Sequence, residues 1–157
     1  MILNTKKDFE KAILNGEEIN HSTIFYTGKL EQTAPEQLKI GDYNPKLGVF
    51  AGYLHGKQVW VGMKDEPEEM TWCEAMELKK KNNKHIPTID ELTVAYLHKD
   101  EINTALEANG GEPFIDDYYW SSSEDSTGSS WRLYMGSGLR SGSNKGNNYY
   151  VRCFQLV

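Results

Sequence analysis

Segments of strand character stand on both sides of a run of helical patterns in this chain of 157 residues, and that order predicts an α+β domain built on an antiparallel sheet. Three observations carry the prediction. The run "LGVFAGYLHGKQVWVGM" places two β-rich apolar stretches around His55-Gly56, as a hairpin does. Two Thr-x-x-Glu spacings, Thr71 with Glu74 and Thr88 with Glu91, each open a helical pattern. In "SWRLYMG", Trp131, Leu133 and Met135 alternate with Arg132 and Tyr134, a period of two that sends one set inward and the other outward.

Taken in order, "TKKDFEKAILNG" predicts a short helix. Thr5 caps it, Asp8 sits at the third helical position, Phe9, Ala12 and Ile13 share a face, and Asn15-Gly16 stops it. "STIFYTG" and "QLKIGDY" read as brief strands, followed by the hairpin. The helix opened by Thr71 turns Trp72, Ala75 and Met76 to its apolar side. The helix opened by Thr88 carries Leu92, Ala95, Tyr96 and Leu97. In "DEINTALEANGG", Asp100 is the expected cap, Ile102, Ala105 and Leu106 the buried stripe, and Asn109-Gly110 the terminator. The last third holds three apolar segments, "YYWSSSE", "SWRLYMG" and "YYVRCFQLV", separated by Ser-, Gly- and Asn-rich stretches expected as loops that the core holds in place.

Composition excludes several function classes. A hydrophobic fraction of 38% with 11% aromatic residues marks a globular chain rather than a disordered one. The net charge of −6 argues against nucleic acid, and the Lys79, Lys80, Lys81 and Lys84 cluster reads as a solvated helix end. No apolar run has the length of a membrane span, and "MILNTKKDFEKAIL" lacks a signal-peptide h-region, so use without secretion is expected. Cys73 and Cys153 are expected as two reduced core thiols or one bridge, and the missing export signal favours thiols. The four histidines have no ligand spacing, so neither a zinc site nor another metal site is expected. No phosphate loop or nucleophile elbow occurs, no carboxylate pair suggests acid/base work, and no cofactor is expected.

The block "VWVGMKDEPEEMTWCEAMELKKKNNKHIPTIDEL" resembles the middle of bacterial C-type-lectin-like domains, in which a strand ending in Lys/Asp leads to a Trp-x-Glu-Ala helix and then a Pro-Thr-x-x-Glu-Leu helix. "YYWSSSE", "SW" and "NKGNNYYVRC" resemble that family's closing motifs in the same order. The resemblance implies a C-type-lectin-like fold over residues 40–157, with an antiparallel sheet, two or three helices and long C-terminal loops. Residues 1–39 match nothing in it and are expected to form a helix and short strands for attachment or oligomerisation. The chain looks closer still to the variable proteins of diversity-generating retroelements. In these, copying of a template corrupts adenines and rewrites Asn-type codons to many residues, but never to Trp, Met, Lys, Glu or Gln. Glu124, Trp131, Met135 and Lys145 would then be scaffold. Asp125, Ser126, Gly128, Ser129, Arg132, Tyr134, Ser137, Leu139, Arg140, Ser141, Gly142 and Ser143 would be the variable, ligand-binding positions.

Tyr, Arg, Ser and Gly together are the chemistry of a paratope. The expected binding face has Tyr134, Arg132 and Arg140 at its centre and Asp125, Ser129, Ser141 and Ser143 at its rim, with residues 136–148 as a loop beside them. Trp60, Trp72, Trp120 and Trp131 are expected in the core, and Glu124 is expected to bond nearby backbone or hydroxyl groups. The calcium lectins' Glu-Pro-Asn or Gln-Pro-Asp is absent, since this chain has "EPF" at Glu112–Phe114. Asp65, Glu66, Glu68 and Glu69 read as a solvated loop. The formylglycine-generating enzymes, which share the broad fold family that the resemblance implies, need reactive cysteines. Cys73 lies at the start of a predicted helix, where a thiolate could be stabilised, but Cys153 lies in a predicted interior strand and nothing pairs it with a base, so no catalysis is expected. The expected partner is a protein or glycan on a host or target cell, met from a phage virion surface or tail, or from a bacterial cell surface. No nucleic acid and no membrane insertion are expected; a homo-oligomer or attachment to a larger particle is. A fixed-specificity adhesin and a structural decoration are the alternatives.

Overall fold

Residues 37–157 are described here from a computed structural model; the expected helix at Thr5–Gly16 and the expected strand "STIFYTG" lie outside them. From Leu38 to Val157 the chain forms one unit of seven strands and three helices. The strands are β1 Tyr43–Asn44, β2 Gly48–Leu54, β3 Lys57–Asp65, β4 Tyr118–Ser126, β5 Ser129–Tyr134, β6 Leu139–Asn144 and β7 Arg152–Leu156. Between β3 and β4 lie α1 Trp72–Asn82, α2 Ile89–Leu97 and α3 Lys99–Ala108. The expected α+β class holds, with two antiparallel sheets instead of one. The first has the order β1-β2-β3-β7 and the second β4-β5-β6.

The β2–β3 hairpin turns at His55 and Gly56, whose φ angles of 50° and 77° are both left-handed. Two such residues in succession match the right-handed twist of the flanking strands. "QLKIGDY" is a turn and not a strand, apart from Tyr43, which pairs with Val49. The Asp42 carboxylate accepts from Lys39 N at 2.8 Å, and Gly41 has φ of 91°. A short acidic side chain beside a left-handed glycine closes the backbone locally before it can join a ladder.

Both capping boxes form. Thr71 N donates to Glu74 Oε2 at 2.8 Å and Thr88 N to Glu91 Oε2 at 3.0 Å, while each threonine hydroxyl accepts from the glutamate's backbone N–H. Asp100 does not cap α3. A single residue, His98, ends α2 and begins α3 without a side-chain cap bond, which leaves Asp100 in the first turn, where it meets the positive end of the helix. Leu92, Ala95, Ile102 and Leu106 are buried against Val49, Val61, Leu133 and Phe154, each leucine contributing about 1.5–3 kcal/mol. Leu97, expected in the apolar stripe, is 67% exposed at the end of α2.

A second cluster gathers Ala75, Ile86, Trp120 and Val151, with Trp72, Met76 and Tyr149 packed on it. Trp60 and Trp120 are buried, and Trp72 and Trp131 are half-buried against the core. The two sheets are linked where Trp120 N donates to Tyr150 O and Tyr150 N to Tyr118 O, a parallel bridge between Tyr119 and Tyr150. Beside it Arg152 lies fully buried on β7. Its Nε pairs with Asp65, and its terminal nitrogens donate to Glu112 O at 2.7 Å and Pro113 O at 3.2 Å. Tyr119 donates to the other Asp65 oxygen at 2.8 Å, and burial holds this phenol protonated, well above its ordinary range. Asp65, expected in a solvated loop, is thus a core residue.

Candidate ligand-binding face

Residues 136–148, expected as a loop, contain β6, and this changes how the expected binding residues are arranged. β6 pairs in unbroken register with β5, from Ser129 opposite Asn144 to Tyr134 opposite Leu139. Serine, glycine and asparagine are poor strand formers, but β5 supplies a full ladder of partners. Pairing then fixes the faces. Arg132 stands opposite Trp120 on one side and Ser141 on the other; Tyr134 stands opposite Tyr118 and Leu139. These side chains, with Ser143, share the face of the second sheet turned away from Tyr119 and Leu133.

At its centre the Arg132 guanidinium carbon lies 3.7 Å from the Tyr118 ring centroid and 4.5 Å from that of Tyr149. The two rings are 5.7 Å apart, so they form a corner around the guanidinium rather than a sandwich. Tyr134 packs on Tyr118 at 5.0 Å, and Tyr149 packs edge-on against Trp120 at 4.9 Å. Arg132 Nε donates to Ser141 Oγ at 3.3 Å. Ser143 Oγ bonds the Tyr149 hydroxyl at 3.0 Å and accepts from Asn147 Nδ2 at 3.1 Å.

Of the twelve positions singled out in the sequence, Arg132, Tyr134, Leu139, Ser141 and Ser143 share this face. Arg140 does not. Its register partner is Leu133, and its guanidinium meets Asp90 of α2 at 3.2 Å. The period of two that aims Arg132 outward aims Arg140 the other way. Gly142 is on Arg140's side, where an added Cβ would stand 2.6 Å from Asp125 Oδ2 and 3.0 Å from Ser129 Oγ. Asp125 and Ser129 therefore group with Gly142 and not with Arg132. Ser126 ends β4, Gly128 lies in the exposed β4–β5 turn, and Ser137 lies in the β5–β6 turn. Ser143, expected at the rim, is buried.

Tyr118 and Tyr149 were not singled out, although a signal for them exists. Each belongs to a Tyr-Tyr pair, and in an extended chain one member of a pair faces inward and the other outward. Tyr119 is fully buried and Tyr150 packs on the main core, so Tyr118 and Tyr149 are the outward members.

Glu124 is bound by an amine rather than by backbone or hydroxyl groups. Lys145 Nζ meets it at 2.6 Å, also donates to Thr127 O at 2.9 Å, and lies 4.3 Å from the Trp72 ring. The pair braces the β4–β5 turn against α1. Both cysteines are free thiols, but only Cys153 is even half-buried; Cys73, expected in the core, is exposed in the first turn of α1, off the side that buries Ala75. Cys153 lines a groove of about 480 Å³ with Asn83, Lys84 and His85. Its thiol donates to Glu66 at 3.3 Å, and burial together with that carboxylate pushes it up to about 12, the opposite of an activated nucleophile. Glu66 in turn binds Lys84 at 2.6 Å. Among the described residues no cluster of His, Cys, Asp and Glu could hold a metal ion, and no helix is long and apolar enough to cross a membrane. No protein-family model matches the chain, and no curated protein matches it.

Proposed function

We propose that this domain is a non-catalytic binding module of C-type-lectin-like fold, and that the outward face of β4, β5 and β6 takes a protein or glycan on a host or target cell. The observation that carries the reading is the Arg132 corner. Tyrosine and arginine, the residues that dominate interface energetics, stand packed, oriented and half-exposed on the second sheet, beside the buried Trp120 and across the sheet from Tyr119 and Leu133. A face organised before the ligand arrives avoids the ordering cost that flexible side chains incur on binding. The test is attachment of the purified chain to candidate cells. Alanine at Arg132 or Tyr134 is expected to abolish it at a stability cost of no more than about 1 kcal/mol, and unchanged attachment would remove this face from consideration.

We propose further that the face is diversified by a retroelement and carried on a phage virion or a bacterial surface. Exposed Leu139 on the face, and exposed Ser126, Gly128 and Ser137 at the turns beside it, suit replacement. Sequencing the 3′ end of the gene and its flanks across a population tests this. A near-copy differing at adenines beside a reverse transcriptase gene is expected. A uniform 3′ end without a template would leave a fixed-specificity adhesin. One observation favours that second reading: Ser143 is buried and bonded to both Tyr149 and Asn147, so most replacements there would disturb the corner itself.

A further inference from the structure

Five cationic side chains among the described residues are half-buried or buried: Lys84, Lys99, Arg132, Lys145 and Arg152. Four of them reach a carboxylate. Lys84 meets Glu66 at 2.6 Å, Lys99 meets Asp116 at 2.8 Å, Lys145 meets Glu124 at 2.6 Å, and Arg152 meets Asp65. Arg132 meets none among the described residues. Withdrawing a cation from water is costly unless something compensates, and elsewhere in this fold the compensation is an acid.

What Arg132 has instead fixes its orientation without using its strongest donors. The Tyr118 and Tyr149 rings hold the guanidinium by cation–π attraction, and Ser141 takes the Nε hydrogen. The two terminal nitrogens have no partner among the described residues. They are not sealed in either, because Ser130 Oγ is the only buried side-chain polar atom there that lacks a partner. The result is a planar fork, held in place, whose terminal nitrogens keep some access to solvent. A carboxylate is the group that such a fork takes with two parallel hydrogen bonds.

We infer that Arg132 takes a carboxylate of the ligand, supplied by an Asp or Glu side chain of a partner protein. This rests on the ligand-binding reading above and narrows it. Two observations select a protein over an acidic sugar. Leu139, the register neighbour of Tyr134 on the same face, is 55% exposed, and an aliphatic group beside tyrosine suits the apolar side chains around an interface acid better than sugar hydroxyls. The chain's net charge of −6 opposes a broadly acidic partner at long range, so a single carboxylate set in an otherwise uncharged patch is the fitting group.

The test is an NMR titration of the full 157-residue chain, labelled with ¹⁵N and followed at the Arg132 Nε–H signal. The probes are acetyl-Leu-Glu-Tyr-amide, its Leu-Gln-Tyr counterpart, and N-acetylneuraminic acid. The Glu peptide is expected to shift that signal saturably and to bind about tenfold or more tighter than the Gln peptide, the difference a charged acceptor makes. Arg132→Lys, which lacks that signal and is followed at the backbone amides of β5 and β6, is expected to lose most of this preference while its unliganded backbone spectrum stays in place. Equal binding of the two peptides, or no shift with either, would overturn the inference. A shift with the sugar acid and not with the Glu peptide would overturn the protein source. If the probes fail while Arg132→Ala and Tyr134→Ala still abolish cell attachment, the carboxylate inference falls and the ligand-binding reading stands.

Discussion

Arg152 and Arg132 are twenty residues apart, one in each sheet, and the fold uses them in opposite ways. Arg152 is sealed under the chain, and each of its nitrogens has a partner: Asp65, Glu112 O or Pro113 O. Arg132 is packed against rings and bonded only at Nε. The first ties β7 to β3 and to the segment leading into β4, so that three parts of the chain distant in sequence close on one another. The second ties little together and keeps donors open. The comparison teaches that saturation of hydrogen bonding, more than residue type or burial, separates the arginine that holds the fold from the one that keeps donors free for the proposed ligand.

The strongest way to break this comparison is Arg152→Ala. It leaves Asp65 buried without its cation, a loss of about 3–5 kcal/mol by chemical denaturation. A loss below 1 kcal/mol would mean that the pair does not hold the sheets. Tyr119→Phe removes one donor to Asp65 and the acceptor for Ile115 N, and is expected to cost about 1–3 kcal/mol. Thr88→Ala removes the α2 cap, for about 1 kcal/mol. At the small end, Arg132→Ala loses its aromatic contacts, and about 0.5–1 kcal/mol is expected in the absence of ligand. A loss as large as that of Arg152→Ala would erase the distinction.

Titration sharpens the same contrast. Burial alone would raise the Glu91 carboxyl, but the His85 ring at 2.6 Å and the Thr88 N–H hold it below its ordinary value of 4.5. A carboxyl lower in the folded state stabilises fully above its unfolded value and ceases to do so as pH falls through the folded one. Acid unfolding of Glu91→Gln is therefore expected to be less steep below about pH 4.5 than that of the parent.

The helix starts and the hairpin were legible because their signals are local. A Thr-x-x-Glu spacing satisfies its own backbone groups, and His55-Gly56 needs only two left-handed residues. β6 was not legible. "LRSGSN" has no strand propensity, and its ladder comes entirely from β5. Because it reads as a loop, no alternation is applied to it, and Arg140 is grouped with Arg132 when pairing parity sends it to Asp90. The cap at Asp100 failed for a related reason, since the spacing shows a candidate cap but not that α2 runs into α3 through one residue. Alternation alone puts Arg132 and Tyr134 on a common outward face, and the Tyr-Tyr pairs contain the rest of the corner.

The central claim is that folding and binding reside in different residues of the second sheet and its neighbours. The most direct test is a saturation scan of residues 112–157 displayed on cells or phage, scored separately for folded display and for attachment to target cells. Substitutions at Tyr119, Trp120 and Arg152 are expected to lose display, whereas those at Arg132, Tyr134 and Leu139 lose attachment and keep display. If attachment followed display at every position, or if the positions specific for attachment fell on the side of Asp125, Arg140 and Gly142, the account would be wrong.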